Sequence, residues 1–173
     1  MEAYTLVRPS MAYAEKLADY RQEFLDVGGP MDGCGSLREI EDPVQYIKKC
    51  EEYTKLETLP EGRVLATQFL FVRKSDDRIL GMIQVRHHLN DYLSKFGGHL
   101  GYSVRPSERR MGYAKAMLKA TLPYCRSLGL KRVLITCLEN NIGSERTILA
   151  NGGVYESTIA NSDKRLKRFW IEL

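Results

Sequence analysis

The pattern of apolar and polar residues along this chain switches repeatedly between a strand-like period of two and a helix-like period of 3.6. Strands are predicted over residues 4–8, 64–73, 79–87, 98–104, 133–136, 154–160 and 168–173. Helices are predicted after Ser10, from Asp42, after the Arg109 turn, and over residues 144–151. This order predicts a mixed α/β fold with a mostly antiparallel sheet and helices on both faces.

The predicted helices carry local start and stop signals. Ser10 is expected to cap the first helix, which a Gly28-Gly29-Pro30 sequence ends. Asp42 followed by Pro43 is typical of a capped helix start. Pro123 falls inside the third helix, and its missing N–H predicts a kink or an early end there.

One strand–helix–strand unit is expected to place a parallel pair inside the antiparallel sheet. Its strands are the segments 98–104 and 133–136, and the crossover between them should be right-handed. Ligands of α/β sheets bind in the crevice outside the carboxyl ends of such strands. That crevice is where the basic turn around Arg109 begins.

Size and composition favour an ordinary globular protein. The chain has 173 residues, 43% hydrophobic and 28% charged, and we expect one domain over residues 1–173. The net charge of +4 is too weak by itself to indicate nucleic-acid binding. The N-terminus lacks the features of a signal peptide, and no apolar run reaches membrane-spanning length, so we expect a cytoplasmic protein. Four scattered cysteines without Cys-x-x-Cys spacing predict reduced thiols and no metal site.

The Arg109 turn is the strongest chemical signal in the chain. Arg109-Arg110-Met111-Gly112-Tyr113-Ala114 leads from a strand directly into a helix. A helix start has unpaired N–H groups and a partial positive charge, which together favour an anion. Neither the Gly-Lys-Ser/Thr loop nor the Gly-x-Gly-x-x-Gly fingerprint is present. The alternative is a solvated arginine-rich turn in which Gly112 serves close packing.

A second segment favours the anion site. Asn141 and Ser144 begin a helix, and Gly152 follows eight residues after Ser144. With the Arg109-x-x-Gly112-x-Ala114 turn, this segment resembles the GNAT N-acetyltransferase superfamily. The resemblance is firm over residues 79–153. It implies a central sheet with one splayed parallel pair, and transfer of an acetyl group from acetyl-CoA to a small-molecule or peptide amine.

The resemblance also implies which residues hold the cofactor. The turn would bind the diphosphate, the preceding strand would hydrogen-bond the pantetheine arm through its main chain, and the Asn-x-x-Ser helix would flank it. The implied cofactor-binding residues are Tyr102, Ser103, Val104, Arg109, Arg110, Met111, Gly112, Tyr113, Ala114, Asn141 and Ser144.

The catalytic groups are less clear. Many members carry an acidic tyrosine seven residues after the motif asparagine, and here that position is Ile148. Tyr155 is the nearest later tyrosine and is considered as the acid, against a surface role. His99 precedes the cofactor turn and is considered as the base, against packing within the sheet. His87 and His88 are adjacent, so they point to opposite faces and cannot share a metal.

Two surface segments leave alternatives open. The acidic loop over residues 31–42 falls where members place an acceptor-binding lid, although such loops are often only solvated. The basic cluster over residues 164–168 lacks interleaved aromatic residues, which argues against nucleic acid. A solvated edge or a strand facing a homodimer partner explains it better. The alternative to an enzyme is a non-catalytic acyl-CoA-binding or sensing module.

Overall fold

Strands and helices follow one another in the order that the hydrophobic pattern predicts. The computed structural model describes residues 3–173, so Met1 and Glu2, part of the stretch interpreted as lacking a signal peptide, lie outside the described residues. The strands are β1 (Tyr4–Val7), β2 (Ala66–Arg73), β3 (Arg78–Arg86), β4 (Leu100–Val104), β5 (Arg132–Leu138), β6 (Val154–Asn161) and β7 (Lys164–Glu172). The helices are α1 (Ala14–Val27), α2 (Pro43–Glu52), α3 (Tyr113–Ser127) and α4 (Ile142–Leu149).

The seven strands form one sheet in the order β1-β2-β3-β4-β5-β7-β6. Its pairs are antiparallel except β4 with β5, which confirms the predicted parallel pair. These two strands share a single register pair, Leu100 with Ile135. Residues 101–104 of β4 pair with β3 alone, so beyond Leu100 the edge of β4 that faces β5 is open. The sheet therefore splays next to the Arg109 turn.

Each face of the sheet buries its own hydrophobic cluster. α3 and α4 cover one face through side chains such as Met117, Leu118 and Ile148. α1 and α2 cover the other through Leu17, Phe24 and Ile47. Alternate residues of the central strands supply both clusters, because successive strand side chains point to opposite faces. The prediction of helices on both faces is confirmed.

Of the three local helix signals, the structure confirms the Asp42 cap and departs from the other two. Asp42 caps α2 as predicted, its Oδ1 accepting from the Val44 amide at 2.9 Å. Ser10 makes no side-chain cap, because a 3-10 turn over Met11–Tyr13 precedes α1. Pro123 lies inside α3, which continues to Ser127, so of the predicted kink or early end, the early end is wrong. A proline removes one backbone hydrogen bond, and the packing of α3 on the sheet outweighs that loss.

The last strand departs most from the sequence prediction. β7 begins at Lys164, four residues before the predicted start, and it lies between β5 and β6. The basic cluster is therefore on an interior strand, and its interpretation as an edge is wrong. Arg168 of this cluster is bound to the protein rather than solvated, because its guanidinium donates to the carbonyl oxygens of Ser94 and Lys95 at 2.6 Å each.

Candidate functional site

A cleft of about 1160 Å³ lies along the splay between β4 and β5. Its walls come from β4, the Arg109 turn, the start of α3, the end of β5 and the start of α4. Ten of the eleven residues predicted around the cofactor line it: Tyr102, Ser103, Val104, Arg109, Arg110, Gly112, Tyr113, Ala114, Asn141 and Ser144. Met111 differs, since its side chain is 66% exposed and is not part of the lining.

The start of α3 has the backbone geometry of an anion site. Gly112 is the N-cap residue with a φ of +81°, and no side chain caps the helix. A Cβ built on Gly112 would meet no atom within 4 Å, so the space above this turn is open. Arg110 also has a positive φ of 66°, which turns the chain tightly into the helix. The first amides of α3 are therefore free to bind a ligand.

The cleft is strongly positive. Its cationic residues are Arg86, Arg109, Arg110, Lys115, Arg146 and Lys164, against two acids, Asp32 and Glu108. Glu108 is already paired with Arg78 at 2.8 Å. Arg109 donates from Nε to the Val104 carbonyl at 3.2 Å, and its guanidinium lies 5.7 Å from the Phe24 ring centroid. This positive field favours a multiply charged anion.

The Asn-x-x-Ser segment has a structural role in the wall of the cleft. Asn141 caps α4, its Oδ1 accepting from the Ser144 amide at 3.1 Å. The Ser144 hydroxyl lies 2.8 Å from the Tyr102 hydroxyl, which joins α4 to β4 across the cleft. Burial raises the pKa of Tyr102 well above its usual range, against the hydrogen bond to Ser144. Tyr102 therefore stays protonated, and its neutral hydroxyl connects β4 to α4.

His99 does not have the surroundings of a general base. It is 6% exposed and is not among the residues that line the cleft. Its Nδ1 accepts from the Leu134 amide at 2.9 Å, while its own amide donates to the Leu134 carbonyl at 2.7 Å. Burial, with smaller effects from Arg86 and His88, lowers the pKa of His99 to about 4. This geometry favours the alternative of packing within the sheet, because His99 joins β4 to β5 where they begin to splay.

This arrangement predicts a pH-dependent loss of stability. The pKa of His99 is about 4 in the folded chain and about 6.5 when unfolded, so the unfolded state binds its proton first as the pH falls. Its contribution is complete above pH ~6.5 and is lost towards pH ~4, amounting to about 3 kcal/mol. His99→Asn retains an acceptor near Nδ1 without the titration. Urea unfolding from pH 7 to pH 4 should show a steeper loss in the parent than in this variant.

The same variant also tests whether His99 acts as the general base. His99→Asn should keep kcat at pH 8 within about threefold of the parent, since it removes no group from the cleft. His88→Asn, at an exposed neighbouring position, is the matched control for both measurements. If the free energy of unfolding fell equally with pH in all three proteins, the assigned role of His99 would be contradicted.

Tyr155 is also misplaced for the acid role. It is 51% exposed on β6, the outermost strand at that end of the sheet. Its hydroxyl lies 2.8 Å from the Thr158 hydroxyl, and its ring packs edge-on against Phe169 at 5.7 Å. Strand register turns the ring onto the β7 surface and away from the cleft. The surface interpretation is therefore the better one, and Ile148 is fully buried in the core.

A second cavity of about 810 Å³ lies on the opposite, α1/α2 face of the sheet. Its floor is formed by Ala66 and Gln68 of β2 with Gln84 and Arg86 of β3, which the strand register places on one face. α2, the 35–39 segment and the 60–64 segment form its walls. Arg86 and Tyr92 line both this cavity and the cleft, so the two spaces meet there.

The acidic loop over residues 31–42 bears directly on β4. Gly33 lies so close to Gly101 that an added Cβ would come within 2.1 Å of the Gly101 carbonyl oxygen. Gln68 holds the loop from below, its Nε2 donating to the Gly33 carbonyl at 2.7 Å. Asp32 thereby borders the cleft, and Glu39 borders the second cavity. Desolvation raises the pKa of Asp32, against the positive charges of Lys164 and Arg86.

Sequence reasoning missed the floor of the second cavity. The available signal was polar residues at inward positions of strands that are otherwise apolar, namely Gln68 in β2, and Gln84 and Arg86 in β3. A buried polar residue in such a strand has a partner or a ligand.

Residues 3–173 contain neither a candidate metal site nor a candidate membrane span. No set of three His, Cys, Asp or Glu side chains is placed to hold a metal ion. None of the described helices combines the length and the apolar character needed to cross a membrane.

The sequence matches a family model described as the acetyltransferase (GNAT) family over residues 35–151. Among curated proteins, none matches. The ribosomal-protein-S5-alanine acetyltransferase of Vibrio fischeri superposes with a TM-score of 0.75 at 16% identity, over 99% of this chain and 94% of that one. RimJ of Mycobacterium smegmatis, in complex with CoA-disulfide, gives 0.71 at 17%, over 98% and 81%. A mutant of spermidine N-acetyltransferase SpeG of Vibrio cholerae gives 0.64 at 12%, over 97% and 94%.

Proposed function

The chain belongs to the acetyltransferase (GNAT) family, and from that premise we propose that it acetylates a primary amine by direct transfer within a ternary complex. Acetyl-CoA supplies the acetyl thioester. The observation that carries the proposal is a pair of cavities that meet at Arg86 and Tyr92, the cleft running through the splay of the sheet and the second cavity lying on its α1/α2 face. Two substrates, one in each cavity, can react at that junction without leaving the protein.

The cleft fits coenzyme A in shape and charge. The open space at Gly112 and the uncapped amides of α3 suit a diphosphate. Arg110 and Lys115 add positive charge to the lining beside them. The unpaired edge of β4 over residues 101–104 offers backbone groups to the pantetheine amides. We propose these groups as the cofactor site.

Direct transfer is favoured over an acyl-enzyme because the thiols are poor nucleophiles. Burial raises the pKa of Cys34 to about 12 and those of Cys50 and Cys125 to about 11. Burial also raises the pKa of Cys137, which borders the cleft. Since the thiolate is the reactive form, these groups are unreactive near neutral pH. The amine itself is then the nucleophile.

Asp32 is the group we propose to accept the proton of the amine. It borders the cleft beside Gly33 and Gly101, close to the point where β4 and β5 begin to part. Desolvation raises its pKa, which makes it a stronger base than an ordinary carboxylate. Its negative charge also attracts an ammonium ion into the junction.

The test is acetyl transfer from acetyl-CoA to a broad panel of amines, followed by thiol release and product mass. We expect intersecting initial-rate patterns, no acetylated protein by intact mass, and no thiol release without an amine. Asp32→Asn should lower kcat by about 10²-fold while coenzyme A affinity is retained. Tight coenzyme A binding without turnover of any amine would overturn the proposal in favour of a sensing module.

A further inference from the structure

Arg86 lies at the junction of the two cavities, and within the described residues it forms no direct ion pair, although the charge of Asp32 is near enough to act on it. Its Nη1 donates to the carbonyl oxygens of Gly97 and Gly98, at 3.0 and 3.2 Å. Within residues 3–173, no carboxylate lies within 4.0 Å of this guanidinium, and no residue accepts from its Nε or Nη2. A guanidinium stays charged near neutral pH and presents a planar pair of donors. Such a group is suited to bind a carboxylate from a ligand.

Gln68 provides an independent sign of a ligand in the second cavity. It is 4% exposed, and its Nε2 donates to the carbonyl oxygens of Gly33 and Ile83. Its Oε1 is buried without a hydrogen-bond partner, the one such side-chain atom found in the described part of the chain. A buried carbonyl oxygen that lacks a donor costs free energy. An N–H or O–H of a bound molecule would satisfy it.

The strand register brings these two residues together on the floor. Gln68 pairs with Gln84, and Ala66 pairs with Arg86, so Gln68 and Arg86 are diagonal neighbours on one face. Such neighbours lie about 7–8 Å apart at the backbone. A molecule that reaches both therefore carries an anionic group and a hydrogen-bond donor separated by a few bonds.

The charges around the second cavity disfavour a polycation as its ligand. Its lining contains Lys49, Arg63 and Arg86 but a single acid, Glu39. Lys49 is already paired with Glu52 at 2.9 Å. A polyamine would meet more positive than negative charge there, whereas an acceptor with a carboxylate would meet the unpaired Arg86.

We propose that the acceptor is a zwitterionic small molecule of the amino-acid class. Arg86 binds its carboxylate at the junction, which holds the adjacent amine close to Asp32. Its side chain extends over the floor of the second cavity and donates a hydrogen bond to Gln68 Oε1. This inference rests on the proposed function and narrows its acceptor. A peptide N-terminus lacks the adjacent carboxylate, and a polyamine lacks any carboxylate.

The experiment measures binding first and turnover second. Calorimetry on the protein in complex with coenzyme A compares L-amino acids, the matching amino-acid amides and the matching decarboxylated amines. Serine, asparagine and glutamine supply side-chain donors, and alanine and valine do not. We expect the best free amino acid to bind about tenfold tighter than its amide and its amine. Acetylation rates should follow the same order.

Variants assign the preference to the named residues. Arg86→Gln should reduce the acid-to-amide ratio to about one, and Arg86→Lys should keep part of it in case the first variant does not fold. Arg63→Gln removes the same charge from an exposed part of the lining and should leave the ratio unchanged. Gln68→Met should abolish the advantage of donor side chains over apolar ones.

The outcomes separate this inference from the proposed function. Selective binding of amino acids without turnover would support an amino-acid site at Arg86 and Gln68 and would overturn the acetyltransferase proposal. Turnover in which amides, peptides or polyamines equal or exceed the free amino acids would overturn the acceptor class alone. If Arg63→Gln lowered the acid-to-amide ratio as much as Arg86→Gln, the preference would reflect the overall positive charge of the cavity. That result would also overturn the acceptor class.

Discussion

Gly112→Asp is expected to weaken coenzyme A binding by about 10²-fold or more. The residue opens α3 with a φ of +81°, a conformation that costs a non-glycine residue about 1–2 kcal/mol. The new carboxylate would also project into the open space above the first amides, where we propose the diphosphate. Like charges at that distance repel, and the helix N-terminus would be occupied by the new side chain. Calorimetry with coenzyme A measures the loss directly.

Two variants separate charge from backbone strain. Gly112→Ala has the same strained φ without the carboxylate, so it should lose far less affinity. Gly129→Asp places the same side chain at the other end of α3, where the φ is +82° and a Cβ again meets nothing within 4 Å. Gly129→Asp should lower the free energy of unfolding about as much as Gly112→Asp does, but leave coenzyme A affinity unchanged. Equal affinities for Gly112→Asp and Gly129→Asp would show that the diphosphate lies elsewhere.

The cleft was predictable because its signals are local in the sequence. A basic turn followed by a small-residue helix start determines backbone geometry within a few residues, and Gly112 and Arg110 adopt the positive φ values that such a turn needs. The parallel strand pair follows from one helical crossover, so the position of the cleft at the sheet splay could also be deduced.

The catalytic groups could not be chosen from the sequence, because the choice depends on register and burial, which are set by distant contacts. His99 faces the Leu134 amide because the chain before β4 is still joined to β5 there, next to the Leu100–Ile135 pair. Asp32 reaches the cleft only because Gly33 lies against Gly101, and those two are 68 residues apart in the chain numbering. No local pattern in either segment indicates that contact.

The second cavity shows the same limit. Its floor combines alternate residues of two strands, so its polar character is visible only once Gln68 is set beside Gln84. In the sequence, each is a single polar residue in an apolar strand.

Gly33→Ala is therefore expected to have the second large effect. Its Cβ would lie 2.1 Å from the Gly101 carbonyl oxygen and 2.5 Å from the Tyr102 Cα, both backbone atoms that cannot rotate away. The φ of +71° adds strain, so the folded state should lose about 3 kcal/mol unless the loop lifts. A lifted loop would move Asp32 away from the junction, and a displacement of about 1 Å there should lower kcat by about 10²-fold.

Gly35→Ala is the matched control in the same loop. Its φ of +57° imposes a comparable backbone penalty, but the nearest atom to its Cβ is Gln84 Nε2 at 3.4 Å, an ordinary contact with a movable side chain. In this variant the unfolding free energy should fall only by that backbone penalty of about 1–2 kcal/mol, while kcat at saturating substrate and coenzyme A affinity should be retained. If Gly33→Ala matched Gly35→Ala in kcat, the close seating of the loop on β4 would not be what positions Asp32, and the proton path would have to run through another group.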